Sequence, residues 1–200
     1  MAPKILVVCG SSREDGYLEQ VVGLAAVAAR MAGAEVRELS LRAVQLPVMI
    51  WGDPDQTANP DVSLVRELAG WADGFVIGTP EYHGNMSGAL KNWFDFLHAE
   101  LAGKFAGVVA TTGGGTGDMS ITAVKTCFQW CHGFVLPFHA AASPTAFEGE
   151  MLTDARVIDR VERVGHDVVR YAPVIAAAFE RAQGLDGPAA GVAGLHADPG

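Results

Sequence analysis

The sequence predicts an α/β fold of three layers: a five-stranded parallel sheet in the order 2-1-3-4-5 with helices on both faces, one domain over residues 1–183. Two features point there. Apolar runs of strand length alternate with segments of helical periodicity, the pattern of parallel βαβ units joined by right-handed crossovers. The runs 5–9, 74–79 and 105–111 are also apolar without alternation, as strands covered on both faces are. In a doubly wound sheet of this order the ligand crevice lies at the carboxyl ends of the strands, where the winding reverses.

In chain order, residues 5–9 form the first strand and 17–31 the first helix, with Leu18, Val21, Val22, Ala25, Ala28 and Ala29 along one side. Residues 35–39 read as the second strand. A long connection, 40–60, precedes a helix over about 62–72, for which Asp61 is the expected N-cap. The third strand, 74–79, leads through a Pro/Gly loop into a helix over 87–101 whose Leu90, Trp93, Phe94, Leu97 and Leu101 share a face. Residues 105–111 form the fourth strand. Asp118 should cap a helix over 119–132, with Gly133 as its C′ residue and 133–136 as a short fifth strand. A last helix starts near Asp154 with Val157, Val161, Val164, Val168 and Ile175 inward, and Pro173 should kink or interrupt it near 170–172. The Gly/Ala/Pro-rich stretch 184–200 reads as a disordered tail.

Two hundred residues, 50% hydrophobic and 18% charged, are enough for one sizeable core. A net charge of −9 argues against nucleic-acid and anionic-membrane partners, both of which need a basic surface. Small anions remain, since a few N–H groups can hold them locally. Three cysteines make no disulfide framework and suit a reducing, cytoplasmic setting. The opening MAPKILVVCGSS has an apolar run of only five residues and reads as neither a signal peptide nor a membrane span.

Three loops fall at the carboxyl ends of the first, third and fourth strands: 10–16 (GSSREDG), 79–87 (TPEYHGNMS) and 111–117 (TTGGGTG). The first offers hydroxyl groups on Ser11 and Ser12, N–H groups at a helix N-terminus and the forked cation of Arg13, a combination suited to a phosphate. It is not a Walker loop, and no GxGxxG follows the first strand, so ATP and a Rossmann-bound dinucleotide lose support.

The segment 79–95, TPEYHGNMSGALKNWFD, resembles the flavin-contacting segment of the NAD(P)H-dependent FMN reductase family, TPEYNxSxPGxLKNxxD. GSSR resembles that family's GSxR phosphate loop, and TTGGGTG its Gly-rich loop beside the flavin ring; the likeness covers roughly residues 4–137. It implies a flavodoxin-like fold, FMN as cofactor, NADPH or NADH as electron donor, and a homodimer or homotetramer. The acceptor it implies is a small molecule: free flavin, quinone, azo compound or metal oxyanion. The implied cofactor contacts are Gly10, Ser11, Ser12, Arg13, Gly16 and Tyr17; Thr79, Pro80, Glu81, Tyr82, His83 and Gly84; and Thr112, Gly113, Gly114 and Gly115. The chain departs from the pattern at Gly16 and Leu18, where the phosphate loop often carries Ser and Asn, and at His83 and Ser87, which replace Asn and Pro.

FMN carries the hydride chemistry itself, so no catalytic acid, base or metal ligand is expected of the protein. The N–H groups of 81–84, fixed by Pro80, are expected at the pyrimidine edge of the ring, with Tyr82 beside it. Gly113, Gly114 and Gly115 would leave a face open to a nicotinamide. Arg13, His83 and Lys91 are candidates for contacts with further anions. Two alternatives stand: an electron carrier of the flavodoxin kind, whose TxTGxT phosphate loop is absent, and a sensor that kept the fold and lost tight flavin binding. Leu46, Met49, Ile50 and Trp51 in the long connection suggest apolar surface for a second copy. Cys127 and Cys131, in CFQWCH, share a helix face and read as core packing, since haem attachment takes CxxCH.

Overall fold

A computed structural model describes residues 1–14 and 16–196. Strands β1 (Lys4–Cys9), β2 (Glu35–Ser40), β3 (Gly74–Pro80), β4 (Phe105–Thr111) and β5 (Phe134–Ala142) form one parallel sheet in the order β2-β1-β3-β4-β5. The expected topology is therefore the observed one. Every residue of β3 and β4 is buried, which is why their sequences are apolar runs without alternation.

Successive strand residues point to opposite faces and feed two cores. Ile5, Val7, Val76 and Val109 pack with α1 (Tyr17–Met31) and α6 (Ala155–Gln183). Leu6, Val8, Phe75, Ile77 and Val108 pack with α3 (Pro60–Trp71), α4 (Gly88–Asp95) and α5 (Asp118–Trp130), while α2 (Pro54–Thr57) is a single turn in the long connection. Phe75 meets Trp93 and Phe128 edge-on, with centroids 6.4 and 5.4 Å apart, and all three side chains are fully buried. Truncating any of them to alanine costs about 3–5 kcal/mol.

Several boundaries differ from the sequence expectation, each for a local reason. Asn59, not Asp61, caps α3: its side chain accepts the N–H groups of Asp61 (2.8 Å) and Val62 (3.3 Å), with Pro60 in the first turn. Helix α4 stops at Asp95, where bonds from Phe96 to Trp93 and from Leu97 to Phe94 tighten the chain, and Leu97 and Leu101 still reach the core. His132, with φ 61°, takes the left-handed position after α5 that was expected of Gly133. Strand β5 runs to Ala142 because Pro137 lies on the edge strand within an irregular stretch, where the register slips between the Ala106–Val135 and Val108–His139 pairs and a missing N–H is tolerated. Helix α6 continues through Pro173, which sits on the exposed face, where the carbonyl it leaves without an N–H partner can be met by water. A hairpin of β6 (Phe147–Glu148) and β7 (Met151–Leu152) fills the segment before α6. Much of the expected disordered tail is folded: Gly187–His196 forms 3-10 turns that bury Ala190 and Ala193. Its small side chains allow that close packing, and positions 197–200 lie outside the described residues.

Candidate active site

The carboxyl ends of β1, β3 and β4 bring the three loops side by side. The N–H of Gly10 donates to the carbonyl of Gly78 (2.9 Å), and a Cβ at Gly10 would stand 2.6 Å from that oxygen, so β1 can leave the sheet here only through glycine. Ser87 joins the first two loops. Its buried hydroxyl donates to the carbonyl of Gly10 and accepts the N–H of Leu90 (3.1 Å), capping α4. A proline in its place could make neither bond. Thr79, fully buried, accepts the N–H of Ser87 (3.1 Å) and donates to the carbonyl of Pro80 (2.9 Å), supporting the second loop from beneath.

That loop is a tight hairpin turn. Tyr82 and Asn85 exchange N–H to carbonyl bonds of 2.9 and 3.0 Å, and the central residues His83 and Gly84 have φ of 52° and 71°. The N–H of Glu81 donates to the carbonyl of Thr111 (2.8 Å). Of the four N–H groups expected to face a ligand, those of Glu81 and Tyr82 are thus engaged inside the protein. Those of His83 and Gly84 have no protein acceptor among the described residues.

A cavity of about 370 Å³ lies between the loops. Ser11, Arg13, Gly16 and Tyr17 line it from the first, Pro80, Glu81 and Tyr82 from the second, and Thr111, Thr112 and Gly113 from the third. Gly10 and Thr79 are buried and do not line it; nor do Ser12, His83, Gly114 and Gly115, which are exposed, or the half-buried Gly84. A Cβ on Gly113 or Gly114 would meet nothing within 4 Å, so this part of the third loop is open. Leu18, at a position where the phosphate loop often has a polar side chain, borders the cavity but is otherwise packed in the core, and its apolar side chain offers a phosphate no donor.

Two contributors escape a sequence reading. Pro144 lines the same cavity because the long β5 delivers residues 143 and 144 to the same end of the sheet. The hairpin β6–β7 braces Tyr17: Phe147 stacks on its ring, with centroids 4.0 Å apart, and its hydroxyl donates to Gly149 (3.3 Å). Gln20 accepts the N–H of Leu152 (3.1 Å) and donates to the carbonyl of Glu150. The Ser-Pro pair at 143–144, a turn signal, was the only mark in the sequence.

Lys91 is not at this crevice. It pairs with Asp95 and borders a separate cavity of about 770 Å³ with Trp51, Cys127 and Trp130. Burial pushes the thiols of Cys127 and Cys131 above their ordinary range, and Cys131 lies 3.8 Å from the carbonyl of Leu97. Among the described residues, no group of three or more His, Cys, Asp or Glu side chains is arranged to hold a metal ion.

These residues are of the kind a flavin mononucleotide needs: Ser11 and Arg13 line the cavity, the turn that follows the lining residue Tyr82 has two N–H groups without protein acceptors among the described residues, and the lining Gly113 has open space beside it. The model of the NADPH-dependent FMN reductase family matches residues 3–148, which include all three loops. The chain belongs to this family. Among its relatives, an NADPH azoreductase of Bacillus sp. is 31% identical over 170 residues, 84% of this chain and 89% of that one. The NADPH-dependent FMN reductase ArsH of Acidithiobacillus ferrooxidans is 26% identical over 179 residues, 84% and 73% of the two chains. A solved oxidoreductase from Corynebacterium diphtheriae shares the fold with a TM-score of 0.73 at 17% identity, covering 86% of this chain and 98% of its own. As a member of the family the chain is an NAD(P)H-dependent oxidoreductase with FMN as its cofactor.

Proposed function

We propose that the three loops hold FMN with its ring edge at the turn 82–85, and that the chain passes electrons from NADPH or NADH to a small-molecule acceptor. The turn carries this reading, because it leaves the N–H groups of His83 and Gly84 without protein acceptors next in sequence to Tyr82, which lines the cavity. Donors fixed in advance stabilise the negative charge of a reduced flavin without reorganising. FMN, when bound, supplies the acceptance and release of hydride.

The chain's residues do the positioning. Ser11, Arg13 and the N–H groups that open α1 serve the phosphate, with the exposed Ser12 lying outside the cavity lining. With Gly16 and Leu18 offering no side-chain donor, the backbone and Arg13 carry more of that contact. Tyr17, braced by Phe147, and Tyr82 form walls of the cavity. Pro80 and Glu81 line it as well, and Gly113 and Gly114, with nothing within 4 Å of a Cβ, leave the approach of a nicotinamide clear. Free flavin, quinones, azo compounds and metal oxyanions are the acceptors that this reading takes, and family membership favours turnover over the carrier and sensor alternatives.

The same reading includes a cytoplasmic homodimer or homotetramer. Trp51 is 91% exposed and Trp130 81% exposed beside the larger cavity, with Val48 and Ile50 exposed nearby, an apolar face suited to a second copy. Light scattering should report more than 21 kDa at micromolar concentration, and a 21 kDa particle would remove this part of the reading.

The activity is tested by mixing FMN-loaded protein with NADPH or NADH without oxygen. Flavin absorption should bleach at a rate that saturates with nicotinamide. Protein that takes up no FMN, or whose bound FMN stays oxidised, contradicts the reading.

A further inference from the structure

Helix α5 begins without a cap of its own. Its N-cap position is Gly117, with φ 78° and no side chain, so one of the N–H groups that every helix start leaves unpaired needs a partner from elsewhere. Asp118, the residue expected to cap it, stands at the first helical position and accepts the hydroxyl of Thr116 (2.7 Å) instead. The partner comes from the second loop: Oε2 of Glu81 accepts the N–H of Ser120 at 3.2 Å, across 39 residues of sequence, and Ser120 is fully buried.

Glu81 touches the Gly-rich loop at three places. Its own N–H donates to the carbonyl of Thr111 (2.8 Å), where the loop begins, and its carboxylate receives Ser120, where the loop has become helix. Between them, a Cβ on Gly115 would lie 3.3 Å from Oε1, so the middle of the loop runs against the same carboxylate. Inside the loop the hydroxyl of Thr112 donates to the carbonyl of Gly115 (2.7 Å), tying the start of the loop to its middle. A carboxylate at a helix start also meets the positive end of the helix dipole.

We propose that Glu81 is a positioning residue that sets the Gly-rich loop 112–117 relative to the turn 82–85, and so fixes the gap in which nicotinamide meets the flavin. This rests on the functional reading above. The carboxylate takes no part in proton transfer; it acts as an N–H acceptor that links two loops. Gln in its place keeps an acceptor at similar reach, whereas Met keeps the volume and loses it.

The test compares Glu81→Met and Glu81→Gln with the parent, with Glu81→Ala taking the place of the Met variant should that one not fold. Amide hydrogen exchange in the apoprotein reads loop position without any flavin: the amide of Ser120, and that of Thr112 at the other end of the loop, should exchange at least about tenfold faster in Glu81→Met and nearly as the parent in Glu81→Gln. In FMN-loaded protein the visible circular dichroism of the flavin should change in Glu81→Met alone. Its anaerobic reduction rate at saturating nicotinamide should fall on the order of a hundredfold, the loss expected when reacting atoms are misplaced by about 1 Å. Unchanged exchange in Glu81→Met overturns the proposal. So does faster exchange with normal flavin dichroism and reduction, which would make Glu81 a purely structural cap. A glutamine variant as impaired as the methionine variant also overturns it. A parent that fails to bind or reduce FMN is a different failure, that of the functional reading, and the apoprotein exchange separates the two.

Discussion

Helices α4 and α5 both start at the crevice, yet they start differently. Helix α4 is capped from within by Ser87, whose hydroxyl accepts the N–H of Leu90 three residues on. Helix α5 is capped by Glu81 from a separate loop. The local cap makes one loop follow from its own sequence, while the distant cap makes the position of the other depend on the folded sheet. A substitution at the first should therefore cost mainly stability, and one at the second mainly geometry of the site.

The largest effect is expected on the open loop itself. Gly113→Leu adds a side chain where nothing lies within 4 Å and where, unlike at Gly114 (φ 158°), the backbone is not held in a glycine-favouring conformation, so the fold and FMN binding through the other loops should survive. The side chain would occupy the approach to the ring, and the anaerobic reduction rate should drop about a hundredfold. Flavin content and reduction rate measured on one preparation check this; normal reduction would remove the loop from the hydride site.

Next comes Arg13→Ala in the first loop. Loss of a hydrogen bond to a charged group costs about 1.5–3 kcal/mol, so FMN should dissociate at least about tenfold more readily while the melting temperature of the apoprotein holds. Fluorescence titration reads it, and equal affinity would place the phosphate elsewhere.

Ser87→Ala sharpens the comparison from the other side. It removes a cap and leaves the buried carbonyl of Gly10 without its side-chain donor, so urea unfolding should show about 1–2 kcal/mol lost. The reduction rate of the folded, flavin-loaded variant should stay near that of the parent, unlike that of Glu81→Met.

The last case concerns a third helix end held from a distance, away from the crevice. The ammonium group of Lys104 donates to the carbonyls of Ala69 (2.6 Å) and Gly70 (2.9 Å) near the end of α3, and burial lowers its pKa from 10.5 to about 8, against the opposing pull of Asp73 and Glu100. A lysine whose folded value lies below its unfolded value binds fewer protons in the native state across that window. Stability should then rise with pH between about 8 and 10.5, by at most about 1.4 kcal/mol per pH unit, and stay level below the window. Lys104→Met should flatten that slope relative to the parent in urea titrations.

These cases show which parts of the molecule were legible in the sequence. Strands β1, β3 and β4 were plain because sheet burial on both faces demands unbroken apolar runs, as in Phe75, Val76 and Ile77. The full length of β5 is hidden in the sequence because Pro137 ends the apolar run at Leu136, although an edge strand with a register slip accommodates it. The three loops were found by position and motif. What they do in detail was not, because the caps of α5 and α3 and the brace on Tyr17 join residues 39, 34 and 132 apart. No local pattern records such contacts. The turn 82–85 shows the same limit: its glycine was visible, but that it withholds the N–H groups of Glu81 and Tyr82 follows only from their partners Thr111 and Asn85.

The most direct measurement of the central claim is amide hydrogen exchange, resolved by residue, of the protein with and without FMN. The amides of Glu81 and Tyr82 should be protected in both states. Those of His83 and Gly84 should exchange freely in the apoprotein and become protected when FMN is added, together with the amides that open α1. Unchanged exchange at His83 and Gly84 in flavin-loaded protein would contradict the account, since the ring edge would then lie elsewhere.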